Sequence, residues 1–486
     1  MEEDIRLEPT RNIPDYTPPG EYPGSVGAKS GRRKKSLKAS IKLSALNIKG
    51  IGNANAWHPH NKWYHVWQTM REERIGILVV GEAHLNDTRC HSIRNLFGRK
   101  MEVVYSENPN TPNAKGIAIA LNKNFVEVND IRTTEVISGR VLLLEFKGYR
   151  EKPFAVLGVY APNPPGENAS FWRDIEAFLE NNPNIPHPDV LAGDLNFVED
   201  PLDRLPSRDD PANPVSAFDD LKMYLQLMDG WRETYPTTRA YTYHQVATGS
   251  QSRIHRIYVK RHIFESTYEW GIKTVGIPTD HRMVSVKISS AKAPEIGGGR
   301  WVWPMHIMKD KTLSEYIKDR GMTLQANIEM AKGWPDRDPK SNAQTMYASW
   351  KRDIEAKARE RSKIVISRIQ REIAETELKL ERILEDETLG EQERTLSAAV
   401  LTEKLTKLEQ RRHNNRRSQT QARSKVESEV ISKAWTAMNK QSKPRDIIHR
   451  LKDGLLPNGE TKYEVNSRRM AAIARKHHNS IQQDRR

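Results

Sequence analysis

The chain has 486 residues, a formal net charge of +15 and a single cysteine, Cys90. That length allows about two or three domains, one thiol excludes an intramolecular disulfide, and no apolar run approaches the roughly 18 residues of a membrane-spanning helix. The opening Glu2-Glu3-Asp4 is unlike a secretory leader, so the expectation is an intracellular protein, nuclear or cytoplasmic, without a membrane partner. Residues 1–290 carry about 37 Lys and Arg against about 35 Asp and Glu, whereas residues 291–486 carry about 41 against about 28. The basic excess is therefore C-terminal and suggests an anionic partner.

In chain order, residues 1–38 combine Pro, Gly and charge with too little apolar material for a core, and read as disordered. They end in the basic run Lys29-Ser30-Gly31-Arg32-Arg33-Lys34-Lys35-Ser36-Leu37-Lys38, readable as a nuclear import signal, a nucleic-acid arm or a solvated linker. From Ile41 the pattern changes. Apolar or β-branched runs bounded by Gly, Pro or Asn predict strands over 41–48, 75–80, 116–121, 140–146, 154–160, 190–191, 241–246, 254–259 and 283–288. Trp63, Val66, Trp67 and Met70 predict a helix over 62–74, and Phe171, Ile175, Phe178 and Leu179 predict another over 171–179. Strands with interspersed helices, but no repeating βαβ period, favour an α+β sandwich of two face-to-face sheets over residues 39–290.

Beyond Ser289-Ser290-Ala291 the composition turns helical, with Gly297-Gly298-Gly299 as a boundary and 291–340 as a linker. Over 341–430, Ile366, Ile369, Ile373, Leu380 and Ile383, then Leu401, Leu405 and Leu408, keep heptad spacing on either side of Gly390. This predicts a helical hairpin turning near residues 388–391, or a self-associating coiled coil. Arg411, Arg412, Arg416 and Arg417 form a basic cluster that either follows a phosphate backbone, of DNA or of RNA, or is a solvated helix face. Residues 431–486 read as a basic helical tail.

Four polar motifs end predicted strands: Gly81-Glu82-Ala83-His84, Tyr160-Ala161-Pro162-Asn163, Gly193-Asp194-Leu195-Asn196 and Thr279-Asp280-His281-Arg282. A carboxylate at a strand end is fixed by the sheet yet faces solvent, as a hydrated metal ion and a phosphate ester require. Each motif alone also fits an ordinary turn, a surface carboxylate or a structural histidine. Their order along the chain makes phosphodiester hydrolysis the leading expectation.

Three further blocks join them: Leu46-Asn47-Ile48-Lys49-Gly50, Lys115-Gly116-Ile117-Ala118-Ile119-Ala120 and Ser252-Arg253-Ile254-His255-Arg256-Ile257-Tyr258-Val259. With them, the segment from Leu43 to about Ile288 resembles the endonuclease/exonuclease/phosphatase superfamily, and within it the endonuclease domain of LINE-type (non-LTR) retrotransposons. The resemblance implies a four-layer αββα sandwich like that of deoxyribonuclease I, with the site on the rim between the sheets. It implies Glu82 as the principal ligand of Mg²⁺ or Mn²⁺, supported by Asn47 and Asp280. Asp194 would orient or deprotonate the attacking water, Asn196 and Asn163 would hold the phosphate, and Tyr160 would donate to a nonbridging oxygen. His281 would contact the scissile phosphate. The implied reaction nicks DNA and leaves a 3′-hydroxyl, the end that primes reverse transcription in a retrotransposon.

Two positions depart from the family pattern. His255 stands where relatives usually carry the Asp that orients and charges the catalytic histidine, so His281 is expected to lose charged character. Lys49 stands where many relatives place Asp or Asn beside a second metal, which favours a one-metal site. No Tyr-x-Asp-Asp motif of a reverse transcriptase occurs before Arg486, so the chain reads as truncated ahead of a polymerase. The competing expectation is a catalytically impaired nucleic-acid-binding or coiled-coil interaction protein that keeps the fold.

Overall fold

The computed structural model describes residues 39–483 except 57, 109–115, 148–152, 291–292, 294–300, 302, 332–341, 366–367, 428–439, 445–447 and 449. The basic N-terminal run, the Gly297-Gly298-Gly299 boundary and Ile366 of the heptad stripe lie outside the described residues. The first sheet begins with β1 (Ser40–Asn47), β2 (Ile77–Gly81), β3 (Met101–Ser106) and β4 (Ile117–Asn122), joined through α1 (Lys62–Glu72) and α2 (Asp87–Phe97). The chain then enters a second sheet through β5 (Arg132–Ile137), β6 (Val141–Lys147), β7 (Pro153–Tyr160), α3 (Pro165–Asn181) and β8 (Val190–Asp194). Shorter elements follow: β9 (Arg204–Leu205), α4 (Ala212–Leu225), β10 (Leu227–Asp229), α5 (Gly230–Thr234), β11 (Tyr243–His244) and β12 (Gln251–Ser252). After β13 (His255–Lys260) and α6 (Arg261–Phe264), β14 (Thr267–Lys273) and β15 (Met283–Ser289) return to the first sheet. The sheet orders are β14-β15-β1-β2-β4-β3 and β10-β13-β8-β7-β6-β5, with β11-β12-β9 as a small third sheet.

Period-two alternation divides each central strand between two cores. Leu43, Ala45, Ile77 and Val79 pack between the sheets, while Leu46, Leu78 and Val80 pack with Trp63, Val66 and Ile93 of the covering helices α1 and α2. On the other side Val156, Val190 and Ala192 join the inter-sheet core, and Leu157, Val159 and Leu191 pack with Trp172 and Phe218 of α3 and α4. The result is the expected four-layer αββα sandwich. Burial on both faces is why these strands read as almost unbroken apolar runs, each fully buried aliphatic side chain contributing about 1.5–3 kcal/mol. Trp63 and Trp172 are wholly buried, so the helical aromatics are core.

At the middle of each sheet lies one parallel pair. Asn47 of β1 is in register with Gly81 of β2, and Tyr160 of β7 with Asp194 of β8. Both pairs therefore end beside polar motifs, an arrangement that places reactive groups where carboxyl ends of strands open to solvent.

Chain contacts divide the protein into two units. In the unit that includes 298–375, α7 (Lys311–Ala331) and α8 (Ala343–Ile364) share a small core of Ile307, Leu313 and Ala358, with an Arg361–Asp310 ion pair at 2.7 Å. The stretch expected to be a linker thus carries a 21-residue helix. The other unit joins the sandwich to residues 376–486. There α9 (Arg368–Glu385) gives way, close to the predicted turn, to α10 (Glu391–Glu427). Leu380 and Leu384 of α9 and Ala398 of α10 pack on Leu205 and Tyr241 of the sandwich, so this part of the heptad stripe covers the chain's own domain. The hairpin of β16 (Leu451–Leu455) and β17 (Thr461–Glu464) and then α11 (Ser467–Gln483) follow.

Candidate active site

Three strand ends leave their sheets through left-handed backbone: Lys49 (φ 53°) just after β1, Glu82 (48°) after β2 and Asn196 (57°) after β8. Non-glycine residues hold such angles at about 1–3 kcal/mol each, strain that concentrates at functional sites. Gly193 is required for a different reason. At φ 152° its backbone lies so near β7 that an added Cβ would meet Val159 O at 1.9 Å, and this close approach sets the position of Asp194, the next residue.

The two sheets meet through one amide. Asn47 Nδ2 donates to Glu82 Oε1 at 2.8 Å in its own sheet and to Asp194 Oδ2 at 3.1 Å in the opposite sheet. Tyr160 hydrogen-bonds Glu82, and burial together with the Glu82 and Asp194 charges holds its phenol well above the ordinary range. Asp194 is buried, and that burial raises its carboxyl above the usual value even though Asn47 and the Asn196 N–H (3.1 Å to Oδ1) favour the anion. The Asn196 side chain donates to Ala161 O at 2.7 Å, tying the β8 exit to the β7 exit. Asn163 is exposed on the β7 exit.

Below this group lie the two histidines. The His255 and His281 rings meet edge to face with centroids 4.8 Å apart, and His255 Nε2 lies 3.4 Å from Asp194 Oδ2. Burial, then His255, Lys49 and Lys62, hold the His281 imidazole well below its ordinary range. The expected loss of charged character at His281 thus has a structural cause. The Tyr243 ring lies tilted against His281, with centroids 4.9 Å apart.

Glu82, Asn47, Tyr160, Asp194, Asn196, His255 and His281 therefore form one connected group, with Asp280 at its edge, where His281 Nε2 lies 3.4 Å from Asp280 Oδ1. Lys49 Nζ binds Asp280 Oδ2 at 2.8 Å, so an ammonium engages this carboxylate. A half-buried Glu82 carboxylate beside neutral donors fits a single Mg²⁺, which keeps several waters and takes one or two carboxylates. Sequence reasoning missed Lys62, whose Nζ reaches Ile48 O at 2.6 Å and Lys49 O at 2.9 Å and so braces the β1 exit. It also missed Thr242, which receives the backbone N–H and faces the ring Nδ1 of His255, both at 3.0 Å. Neither carries a local signal: one is a helix-start lysine, the other a threonine in an ordinary strand-like run.

The arginine cluster lies elsewhere and is used differently. Arg416 pairs with Glu72 at 3.0 Å, Arg417 donates to Pro59 O at 2.8 Å and lies over Tyr64, and Arg412 pairs with Glu409 at 2.6 Å. His413, between them, stacks on His65 with ring nitrogens 3.0 Å apart. Three of the four arginines thus have partners within the chain, and Arg411 is exposed.

Residues 44–281 match the endonuclease/exonuclease/phosphatase family. This is a family of metal-dependent phosphodiesterases. Over 193 residues, 39% of this chain, the sequence is 30% identical to the transposon TX1 uncharacterized 149 kDa protein of Xenopus laevis. The match spans 14% of that relative's length. Among solved structures, an AP endonuclease from Leishmania major is similar with a TM-score of 0.44 at 15% identity, covering 52% of this chain and 88% of the other. A Neisseria 3′ phosphatase bound to a product DNA hairpin gives 0.41 at 17%, covering 51% and 100%. The endonuclease domain of TRAS1, a telomere-specific non-LTR retrotransposon, gives 0.38 at 14%, covering 52% and 99%.

Proposed function

We propose that the sandwich is a Mg²⁺-dependent endonuclease that nicks DNA and leaves a 3′-hydroxyl, as in target-site cleavage by a retrotransposon. The observation that carries this reading is the Asn47 amide, which binds Glu82 of one sheet and Asp194 of the other and so holds the two carboxylates close together. Glu82 would hold the ion, with Asn47 and Asp280 beside it, and the bound ion would neutralise charge on the phosphate oxygens. Asp194, buried and fixed by two donors, orients the attacking water and takes its proton; burial makes it a stronger base than an exposed carboxylate. His281, neutral for the reasons given, donates an N–H to the phosphate. Tyr160 keeps its proton, which is engaged by Glu82 and would turn to a nonbridging oxygen once Glu82 holds the ion, while Asn163 and Asn196 flank the same rim. Similarity to a transposon protein and the basic C-terminal half support DNA as substrate. Of the arginine cluster, Arg411 is the member free to extend that contact.

The test is relaxation of supercoiled plasmid in Mg²⁺, with polymerase extension of the nick to read the 3′ end. Activity above a Glu82→Ala control, with extendable ends, is expected; activity equal to that control removes the proposal. One observation favours a second reading, a nucleic-acid-binding or interaction protein with impaired catalysis: His255 faces His281 where an anion would charge it. That reading predicts salt-sensitive DNA binding without relaxation.

A further inference from the structure

His255 leaves an unbalanced contact inside the fold. Thr242 Oγ1 accepts the His255 backbone N–H at 3.0 Å, and its own hydroxyl is directed at Ser252 O, 3.3 Å away. The contact between His255 Nδ1 and Thr242 Oγ1 (3.0 Å) admits two tautomers: Nδ1–H donates while the hydroxyl stays on Ser252 O, or Nδ1 accepts when the hydroxyl turns to it. In the first, Nε2 carries a lone pair 3.4 Å from Asp194 Oδ2. Two acceptors then face each other. Neither His255 Nε2 nor His281 Nδ1, both buried, has a hydrogen-bond partner, and a buried polar atom left in that state destabilises the fold.

A cation resolves the contact. One donor atom from each of Asp194, His255 and His281 lies within 4.8 Å of the others, and all three side chains are buried. Tetrahedral bonds of about 2.0–2.2 Å place ligand pairs about 3.3–3.6 Å apart, so the three side chains must draw in by up to about 1.5 Å to complete the set. Two imidazoles and one carboxylate are a ligand set for Zn²⁺ and its transition-metal neighbours, whereas Mg²⁺ takes oxygen. In the tautomer with Nδ1–H on Thr242, that bond is the outer contact that orients a ligating imidazole.

We propose that Asp194, His255 and His281 form a buried zinc-class metal site, created by His255 and separate from the Glu82 position. Because Asp194 and His281 are the groups assigned to the water and the phosphate, zinc there inhibits cleavage. That consequence rests on the nuclease reading, but the binding site does not.

The full chain, stripped with chelator, is titrated with Zn²⁺ in excess Mg²⁺. Wild type is expected to bind one equivalent that Mg²⁺ does not displace. His255→Asp should weaken this binding by more than the about 10–100-fold typical of losing only an outer contact, and Glu82→Gln should leave it unchanged. X-ray absorption of zinc-loaded wild type should show two imidazoles with oxygen ligands, a readout that needs neither variant to fold nor any nicking. An all-oxygen shell, equal zinc affinity in His255→Asp, or loss of the site in Glu82→Gln overturns the proposal. Zinc binding without any nuclease activity leaves the site standing and removes only its inhibitory role.

Discussion

Two buried histidine pairs lie among the described residues, and they are treated in opposite ways. Where α10 meets α1, His65 and His413 are joined ring to ring at 3.0 Å, and Arg417 reaches the far nitrogen of His65 at 3.2 Å. At the rim, His255 and His281 touch by their rings while a nitrogen on each lacks a hydrogen bond. A contact that only holds structure together closes its own hydrogen bonds. Open atoms alone do not separate the two places, since Thr69 and Thr274 beside α10 also have one each; what singles out the rim is that Asp194, His255 and His281 meet there.

The sharpest test of this contrast is Asp194→Asn. Plasmid relaxation should fall by about 10²–10³-fold, as when one preorganised polar group is removed from an active centre. The melting temperature should hold or rise, because a buried charge has been removed from a low-dielectric place. A large drop in melting temperature would mean that Asp194 is a structural member of the rim. Next in size is His255→Asp, which restores a carboxylate beside His281. Nicking should increase by about 10–100-fold, and a pH–rate profile should gain a limb that falls as pH rises through the raised His281 value. Unchanged activity would place the limitation elsewhere.

The α10 face should respond to acid. Burial pushes His65 and His413 down from 6.5 to about 4, so the docked helix resists protons that the released helix takes up. Their stabilisation is full above about 6.5 and is lost as pH falls toward about 4. Glu409, raised by burial from 4.5 to about 7, acts in the other direction, its contribution being lost as pH rises through about 7. Two imidazoles outweigh one carboxyl. Hydrogen exchange over residues 405–417, corrected for intrinsic rates, should therefore quicken on acidification, and more so in Glu409→Gln. Protection that grows on acidification would reverse the assignment. The smallest effect is expected of Gly276→Ala, whose new Cβ would lie 2.1 Å from His413 Cβ. Thermal stability should drop by about 1–3 kcal/mol with nicking retained; a loss of nicking would tie α10 to the rim.

How much of this was legible in the sequence follows from burial. The strands covered on both faces, such as β1, β2 and β7, announce themselves by composition and were located within a few residues. Strand β5 was missed because Arg132-Thr133-Thr134-Glu135-Val136-Ile137 forms a sheet edge with little buried surface, where apolar alternation has no cause. The run over 241–246 was over-extended, only Tyr243–His244 being strand. Motif residues were legible because strand ends carry them together with their turn chemistry. Lys62 and Thr242 were not, since what makes them matter is a partner far along the chain or the orientation of one hydroxyl. Likewise, the charge of Arg412, Arg416 and Arg417 could be read, but not that Glu409, Glu72 and Pro59 would engage them.

Because a single Asn47 side chain touches both sheets, the rim acts as a caliper on the thickness of the layer between them. Swelling that layer by one methylene, far from any polar group, would spread the jaws before it unfolded the protein. Tolerance to substitution at the inter-sheet positions of Ile117 and Val156 should accordingly be narrower for cleavage than for folding.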